Sequence, residues 1–562
     1  MKKRREKGAE RKKVSFIFFF FVFPLFSSFA QSEVTTDWLW RQALGGAVIG
    51  QPTVQAQSVV VALDGGSVKA YSASGRPLWT YSARGRISPQ ITRSREGASY
   101  ICRTNGIFIA LSRIGKELWR TNINGTLSGP VVVGWDGRVF VPAARKILCY
   151  TASGSQLWTR ELEAVVSAGP WLDQSGGILL ALDNSSVMRI NPYGEATVIK
   201  LPSVPRILLS SGLRVVAMYP GGDVQMFDPS QPDVQPVNLP RLPSPPLAAA
   251  SRENAVAAAL ANGQLVLMSP NSGTQWSADT HIRIQQQRGR IAGDNEAAVV
   301  FDERGIYVLS ASGASAFSAD GKRQWFTLLK NASGVPAFDD NGVLYSGGTD
   351  WILYTWKLEE RASWQGRTLY GPSPQGVYAR GVYTPTAFAG FYEEADVKER
   401  LKFIQREIQA GRVGENEREW LTYLINIAQS GERQGVFSIN LRVDALRLLS
   451  RIGSGETMPW LARFFRAEQE PLVKAAAARA IGAIGLDPNG RAIQELLDTA
   501  IEGNLHDERV LAAVASAAGS LCRYSGPPLF DSGARILVLL SNPDRPQLVR
   551  RQARSELERL ME

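Results

Sequence analysis

Histidine and cysteine are scarce in this chain: two and three of 562 residues. His281 and His506 stand isolated, so a histidine-rich metal centre and a histidine-based triad are excluded, and each is expected to have a surface or packing role. Three cysteines cannot build a disulfide framework, and none are adjacent. Cys102 and Cys149 fall on repeat positions where sister units carry Ala, and they read as small buried core residues. Past residue 30 no apolar run is long enough to span a bilayer. No Gly-x-x-x-x-Gly-Lys-Ser/Thr or Gly-x-Ser-x-Gly motif stands in a suitable context. Wholesale disorder is excluded too, because 44% of residues are hydrophobic.

The formal net charge of +11 would point to a polyanion binder, but its distribution says otherwise. Residues 1–13 carry eight Lys/Arg and two Glu, followed by an apolar run from Val14 to Phe26 and then Ser28-Phe29-Ala30. This is the pattern of a cleavable signal peptide, with cleavage expected after Ala30 and an uncleaved anchor as the alternative. Removing residues 1–30 leaves +5; residues 358–562 balance 26 basic against 26 acidic side chains, so the excess lies in residues 31–357. The expected location is the periplasm or the exterior. Nucleic acid is not an expected partner.

Repeats organise the next three hundred residues. Ala70-Tyr71-Ser72-Ala73-Ser74-Gly75-Arg76-Pro77-Leu78-Trp79 aligns with 110–119 and 149–158, and the tryptophans at 40, 79, 119 and 158 are spaced by 39, 40 and 39. Trp276 lies three such steps beyond Trp158, and Trp325 closes a longer unit. Each unit reads as short strands broken by tight turns, as in Val59–Leu63, Asp64-Gly65-Gly66 and Ser67–Tyr71. About forty residues with four strands make one blade of a β-propeller. The expected fold is an all-β eight-bladed propeller over 31–357, with seven blades as the alternative. Trp38-Leu39-Trp40-Arg41 resembles the last strand of a blade and is expected to complete the final one. Trp40, Trp79, Trp119, Trp158, Trp276 and Trp325 are expected to plug blade against blade.

This Ala-x-Ser/Asp-x-x-Gly-x-x-x-Trp pattern resembles the docking motif of pyrroloquinoline quinone (PQQ)-type propellers, a superfamily of quinoprotein dehydrogenases and BamB-type assembly proteins. The dehydrogenase branch implies a quinone stacked on the propeller axis, often on a vicinal disulfide, with calcium and an aspartate base. This chain lacks the vicinal cysteines. Its aspartates Asp64, Asp136, Asp320 and Asp339-Asp340 sit at turns, and Asp350 stands where a calcium loop starting at Asp339 would need Glu. No catalytic, cofactor or metal residue is therefore expected.

Beyond Lys357 the pattern changes. Residues 358–392 hold Gly, Pro and seven aromatics, among them Trp364, Tyr370 and Tyr378, an aromatic-rich linker expected to dock rather than hang free. From 393 to 562 the spacing is helical, as in Val397, Leu401, Ile404 and Ile408. Helical units recur around 440–453, 472–485, 509–519 and 548–553, and their Val-Lys/Arg-x-x-Ala-x-x-Ala-Leu/Ile-Gly signature, sharpest at 472–485, resembles HEAT repeats. That resemblance implies an all-α solenoid for partner binding; an irregular helical bundle is the alternative.

One basic cluster, Arg84, Arg86, Arg93 and Arg95, is a candidate partner surface, with solvated loop arginines as the alternative. The chain is expected to be an exported, non-enzymatic scaffold contacting envelope proteins, with a bearing on outer-membrane assembly. The competing expectation is a PQQ-dependent periplasmic oxidoreductase with a degenerate site.

Overall fold

A computed structural model describes residues 38–357 and 394–561 apart from internal stretches, the longest being 230–235, 283–296 and 430–436. The signal-peptide residues, the aromatic-rich linker, Asp340 and His506 lie outside the described residues. Eight four-stranded antiparallel sheets form eight blades, and the alternative of seven is excluded. Blades 1 to 7 span residues 48–82, 92–122, 132–161, 166–200, 207–239, 246–279 and 297–328. Each uses four consecutive strands, A innermost to D outermost. Blade 8 takes strands A to C from 337–357 and its outer strand from Trp38–Ala43. Trp40 N–H donates to Thr355 Oγ1 (3.0 Å) and Thr355 Oγ1–H donates back to Trp40 O (2.7 Å), so the N-terminal strand locks the ring.

The repeated tryptophan has a defined job. In blade 1 the indole N–H of Trp79 donates to Arg113 O (2.8 Å) in the C–D turn of blade 2. Trp40, Trp119, Trp158 and Trp276 do the same to Ala73 O, Ala152 O, Pro192 O and Ala319 O, at 2.7 to 3.0 Å. The ring lies flat under the glycine of that turn: a Cβ on Gly115 would come within 2.5 Å of Trp79. Gly115 also has φ +79°, which L side chains avoid, so the motif's glycine is needed twice. A register shift one residue before each of Trp79, Trp119, Trp158, Trp276 and Trp325 turns the indole outward. In blades 4 and 5 Thr197 and Val237 take the tryptophan register, and there the outer pair runs unshifted. Trp325 is buried against Tyr307; the blade it faces has no C–D turn, because its outer strand is the N-terminal one.

Nine helices follow among the described residues: α1 (Glu394–Gln409), α2 (Glu417–Gln429), α3 (Ile439–Ile452), α4 (Met458–Ala467), α5 (Pro471–Ile484), α6 (Arg491–Glu502), α7 (Glu508–Tyr524), α8 (Leu529–Leu540) and α9 (Gln547–Met561). They stack in two layers, α3, α5, α7 and α9 in one and α4, α6 and α8 in the other. Small residues set the spacing: Ala475 to Ala478 are buried, and a Cβ on Gly482 of α5 would meet Ala517 of α7 at 2.7 Å. Gly453 and Gly485 end α3 and α5 in the left-handed conformation.

The two regions share one core. Phe140, Ile147, Leu157 and Trp158 of blade 3 pack in the same buried cluster as Val397, Leu401, Ile404 and Trp420 of the helices.

Candidate interaction surfaces

Strand direction gives the disc two faces. The B–C turns and the blade-to-blade D–A connections lie on one, the A–B and C–D turns on the other. The helical arm occupies the second face over blades 2 to 4. Val413 N–H donates to Leu157 O (2.9 Å), Arg418 Nε–H to Tyr193 Oη (3.0 Å), and Lys116 Nζ to Arg559 O (3.1 Å). Arg113 covers the Phe530 ring at 4.3 Å, and Leu486 fills the space over Gly137.

At the centre of that seam is a buried charge cluster. The Arg138 side chain, 3% exposed, pairs with Asp136 Oδ2 at 2.9 Å and with Glu417 Oε1 at 2.6 Å. It also donates to Pro192 O and lies over the Tyr193 ring at 5.1 Å. Glu417 opens α2, where the helix N-terminus favours an anion. Burial, and the nearby carboxylates of Asp136 and Glu456, push its carboxyl up to about 7 despite Arg138, and its Oε2 is buried without a hydrogen-bond partner. Removing one member of such a buried pair strands the other charge, so the cluster fixes where the arm docks. Sequence reading passed over Arg138 and Glu417. The available signal was a lone arginine abutting the apolar strand Val139–Ala143.

The structure does not keep the four candidate arginines together. Arg84 and Arg86 are exposed in the blade 1 to blade 2 connection, beside the B–C turn, where Gly85 O packs over Gly66. The half-buried Arg103 joins them there, since Thr104 N–H donates to Arg86 O (3.0 Å). Arg95 is exposed at the other end of strand A, in the A–B turn. Arg93 is no surface residue: it is 8% exposed and donates to Ser58 Oγ (3.0 Å) of blade 1, stitching two blades. The inner strand Thr92–Arg93 lies between the two ends and separates Arg84 and Arg86 from Arg95.

The remaining chemistry candidates are accounted for locally. Asp339 accepts from Val343 N–H (2.8 Å) and Tyr345 Oη–H (2.9 Å), as Asp173 accepts from Gly177 N–H (2.8 Å), which are turn-closing roles. Asp64 accepts from Gly65 N–H (2.8 Å), and Asp320 is bonded by Ser318 and Lys322. His281 pairs with Asp279 (3.1 Å) at the exposed end of blade 6. Cys102, Cys149 and Cys522 are free and buried, and burial pushes the Cys102 thiol up to about 12. Among the described residues no three His, Cys, Asp or Glu side chains converge to hold a metal ion. No described helix is long and apolar enough to cross a membrane.

The axis holds a channel of 780 Å³ lined by the inner strands of all eight blades. Blades 1 to 4 contribute polar groups such as Gln51, Thr53, Gln90 and Ser128, and blades 6 to 8 contribute Leu247, Val299, Val335 and Phe338. Arg206 of blade 5 is the single charged lining residue among those described. Side chains tie neighbouring inner strands together: Thr53 Oγ1–H donates to Ile91 O (3.1 Å) and Thr92 Oγ1–H to Val131 O (2.8 Å).

A family model described as outer membrane protein assembly factor BamB matches residues 29–105 and 103–365, more than half of the chain. The chain belongs to that BamB family. A BamB from Burkholderia pseudomallei (strain K96243) is 25% identical over 167 residues, which are 28% of this chain and 43% of that protein. The alignment thus spans less than half of the curated relative. Among solved structures, BamB from Moraxella catarrhalis is 17% identical with a TM-score of 0.46, covering 58% of this chain and 99% of its own. The designed protein Ika8 is 14% identical with a TM-score of 0.44, covering 56% and 98%. The BamB family match covers the propeller and ends before the helices begin.

Proposed function

We propose that this protein is an exported, non-enzymatic scaffold of the cell envelope that contributes to outer-membrane protein assembly. The observation that carries the reading is a BamB-family propeller with a helical region packed on one face through a shared core. One face is partly taken by the arm, while the B–C/D–A face carries Arg84, Arg86 and Arg103 at the blade 1–blade 2 edge. That edge is the docking surface for an acidic segment of an envelope partner. The helical arm, read as a HEAT-like solenoid, supplies a second surface, and the seam holds the two at a fixed angle. Residues 1–30 are the export signal, so the mature chain begins at Gln31.

The test is photo-crosslinking in cells from Asn105, exposed in the adjoining B–C turn of blade 2, with mass spectrometry of the captured proteins. Envelope assembly components recovered with Arg84 and Arg86 in place, and lost in the Arg84→Glu/Arg86→Glu variant, support the reading. Tight uptake of PQQ and Ca²⁺ with dye-linked alcohol oxidation would overturn it. N-terminal sequencing of the secreted chain checks the cleavage site.

A further inference from the structure

An inner strand of a propeller has a free edge: its second row of main-chain N–H and C=O groups points at the axis. Such edges invite an added strand unless they are blocked by proline, bulges or shortness. Seven blades are blocked here. Pro52, Pro170 and Pro246 lie at register shifts in blades 1, 4 and 6. Pro89, Pro130 and Pro336 precede inner strands of two residues in blades 2, 3 and 8. In blade 5 the inner strand Ile207–Ser211 pairs without a shift, but Pro205 and a bulge stand at its start, where Arg206 N–H donates to Met218 O (2.8 Å), and Ser251 of blade 6 caps its edge by donating to Ser210 O.

Blade 7 is the exception. Its inner strand, Ala297–Asp302, pairs over six residues with no register shift, and the sequence has no proline from 271 to 335. Two residues separate Asp302 from its partner Gly305, so these two form the hydrogen-bonded pair that closes a hairpin. Alternation then gives Val300 and Ala298 to the outer neighbour and turns the N–H and C=O groups of Ala297, Val299 and Phe301 toward the axis. The strand's own side chains turn away from that edge: Ala297 and Val299 pack toward blade 6, and Ala298 and Val300 toward blade 8.

We propose that this edge takes an extended peptide chain as an added antiparallel strand inside the channel, its C-terminal carboxylate directed to Arg206. Space fits. Spread over six residues, ~20 Å at ~3.3 Å each, the channel leaves a cross-section of ~40 Å² for water centres. That admits one extended main chain with small side chains and excludes a helix ~10 Å wide. Polarity fits as well, with an apolar arc from blades 6 to 8 around the edge and a polar arc opposite. Charge sets the direction. All inner strands run the same way along the axis, so Arg206, just before the inner strand of blade 5, lies at the same end as Ala297. A chain antiparallel to Ala297–Asp302 brings its C-terminus to that end. This site goes beyond the scaffold reading, which uses the outer surfaces of the disc.

The experiment uses the full mature chain and an N-terminally fluorescein-labelled peptide, Ser-Val-Ala-Val-Ala-Val, with a free carboxylate, against its C-terminal amide. Fluorescence anisotropy is expected to show saturable binding of the acid form, weaker binding of the amide, and equal, weaker binding of both to Arg206→Gln. Val299→Pro installs the missing guard at an inward N–H without breaking the ladder to the outer strand, and is expected to weaken binding at least about tenfold. Should Val299→Pro misfold, hydrogen exchange on the wild-type chain decides: peptide must slow the amides of Ala297, Val299 and Phe301. No binding to the wild type, or binding with those amides unprotected, overturns the proposal.

Discussion

Propeller and helical arm hold their elements together by different physics. Blade meets blade through a directed device: an indole N–H on a turn carbonyl, with the ring flat under a glycine of positive φ. Helix meets helix through the absence of side chain, as at Gly482 against Ala517. The first fixes distance and angle; the second only permits close approach. The propeller also closes on itself through Trp40 and Thr355, so each blade supports all the others, whereas each helix of the arm packs on its near neighbours. Closure makes damage in the disc global, and near-neighbour packing keeps damage near its site.

The largest expected effect lies where the two kinds of contact meet. Trp158 docks on Pro192 O and belongs to the core shared with the arm, so Trp158→Ala should cost about 4 kcal/mol in denaturant unfolding. Trp276→Ala removes the same device far from the arm and should cost clearly less; equal losses would show that the seam adds nothing to the docking. Next comes Arg138→Met, about 3 kcal/mol, because Glu417 is left buried, and Asp136 half-buried, without their cation. Limited proteolysis of this variant should release the arm before it nicks the disc. Gly115→Ala should cost about 2 kcal/mol, from the φ of +79° and the Trp79 ring. In the arm, Gly482→Ala should cost about 1 kcal/mol less, since helix propensity gains part of what crowding takes.

The smallest effect is pH-dependent. The folded carboxyl of Glu417 titrates near 7, above its ordinary value of 4.5, so the docked state holds a proton that the undocked state releases. Its contribution is full below about 4.5 and is lost as pH rises through about 7. The protection factor of the Val413 amide, which bonds across the seam, should therefore fall from pH 5 to pH 8 once the intrinsic exchange rate at each pH is divided out. Glu417→Gln should flatten that profile; an unchanged slope would assign the dependence to another group.

Much of the fold was legible because it repeats. Tryptophan spacing disclosed the blades, and Trp38–Arg41 disclosed the closure, since a terminal strand with no blade of its own needs a blade that lacks one. The candidate surface was legible only in part. Arg84 and Arg86 stand exposed as read, while Arg93 turns inward, because a strand residue's direction depends on register and on the neighbouring blade. Arg138 and Glu417 were invisible as a pair, 279 residues apart in sequence.

By itself, then, the sequence determined what is local and periodic: strand, turn, docking tryptophan, glycine beneath it, alanine-lined helix. Those depend on residues within one repeat or the next, and repetition amplifies their signal. Tertiary structure alone decided between the expected eight blades and seven, and it alone decided the face on which the arm sits, the burial of Arg138 and the open inner edge of blade 7. Each of these arises where non-repeating segments meet, and a contact between distant segments leaves no period to read.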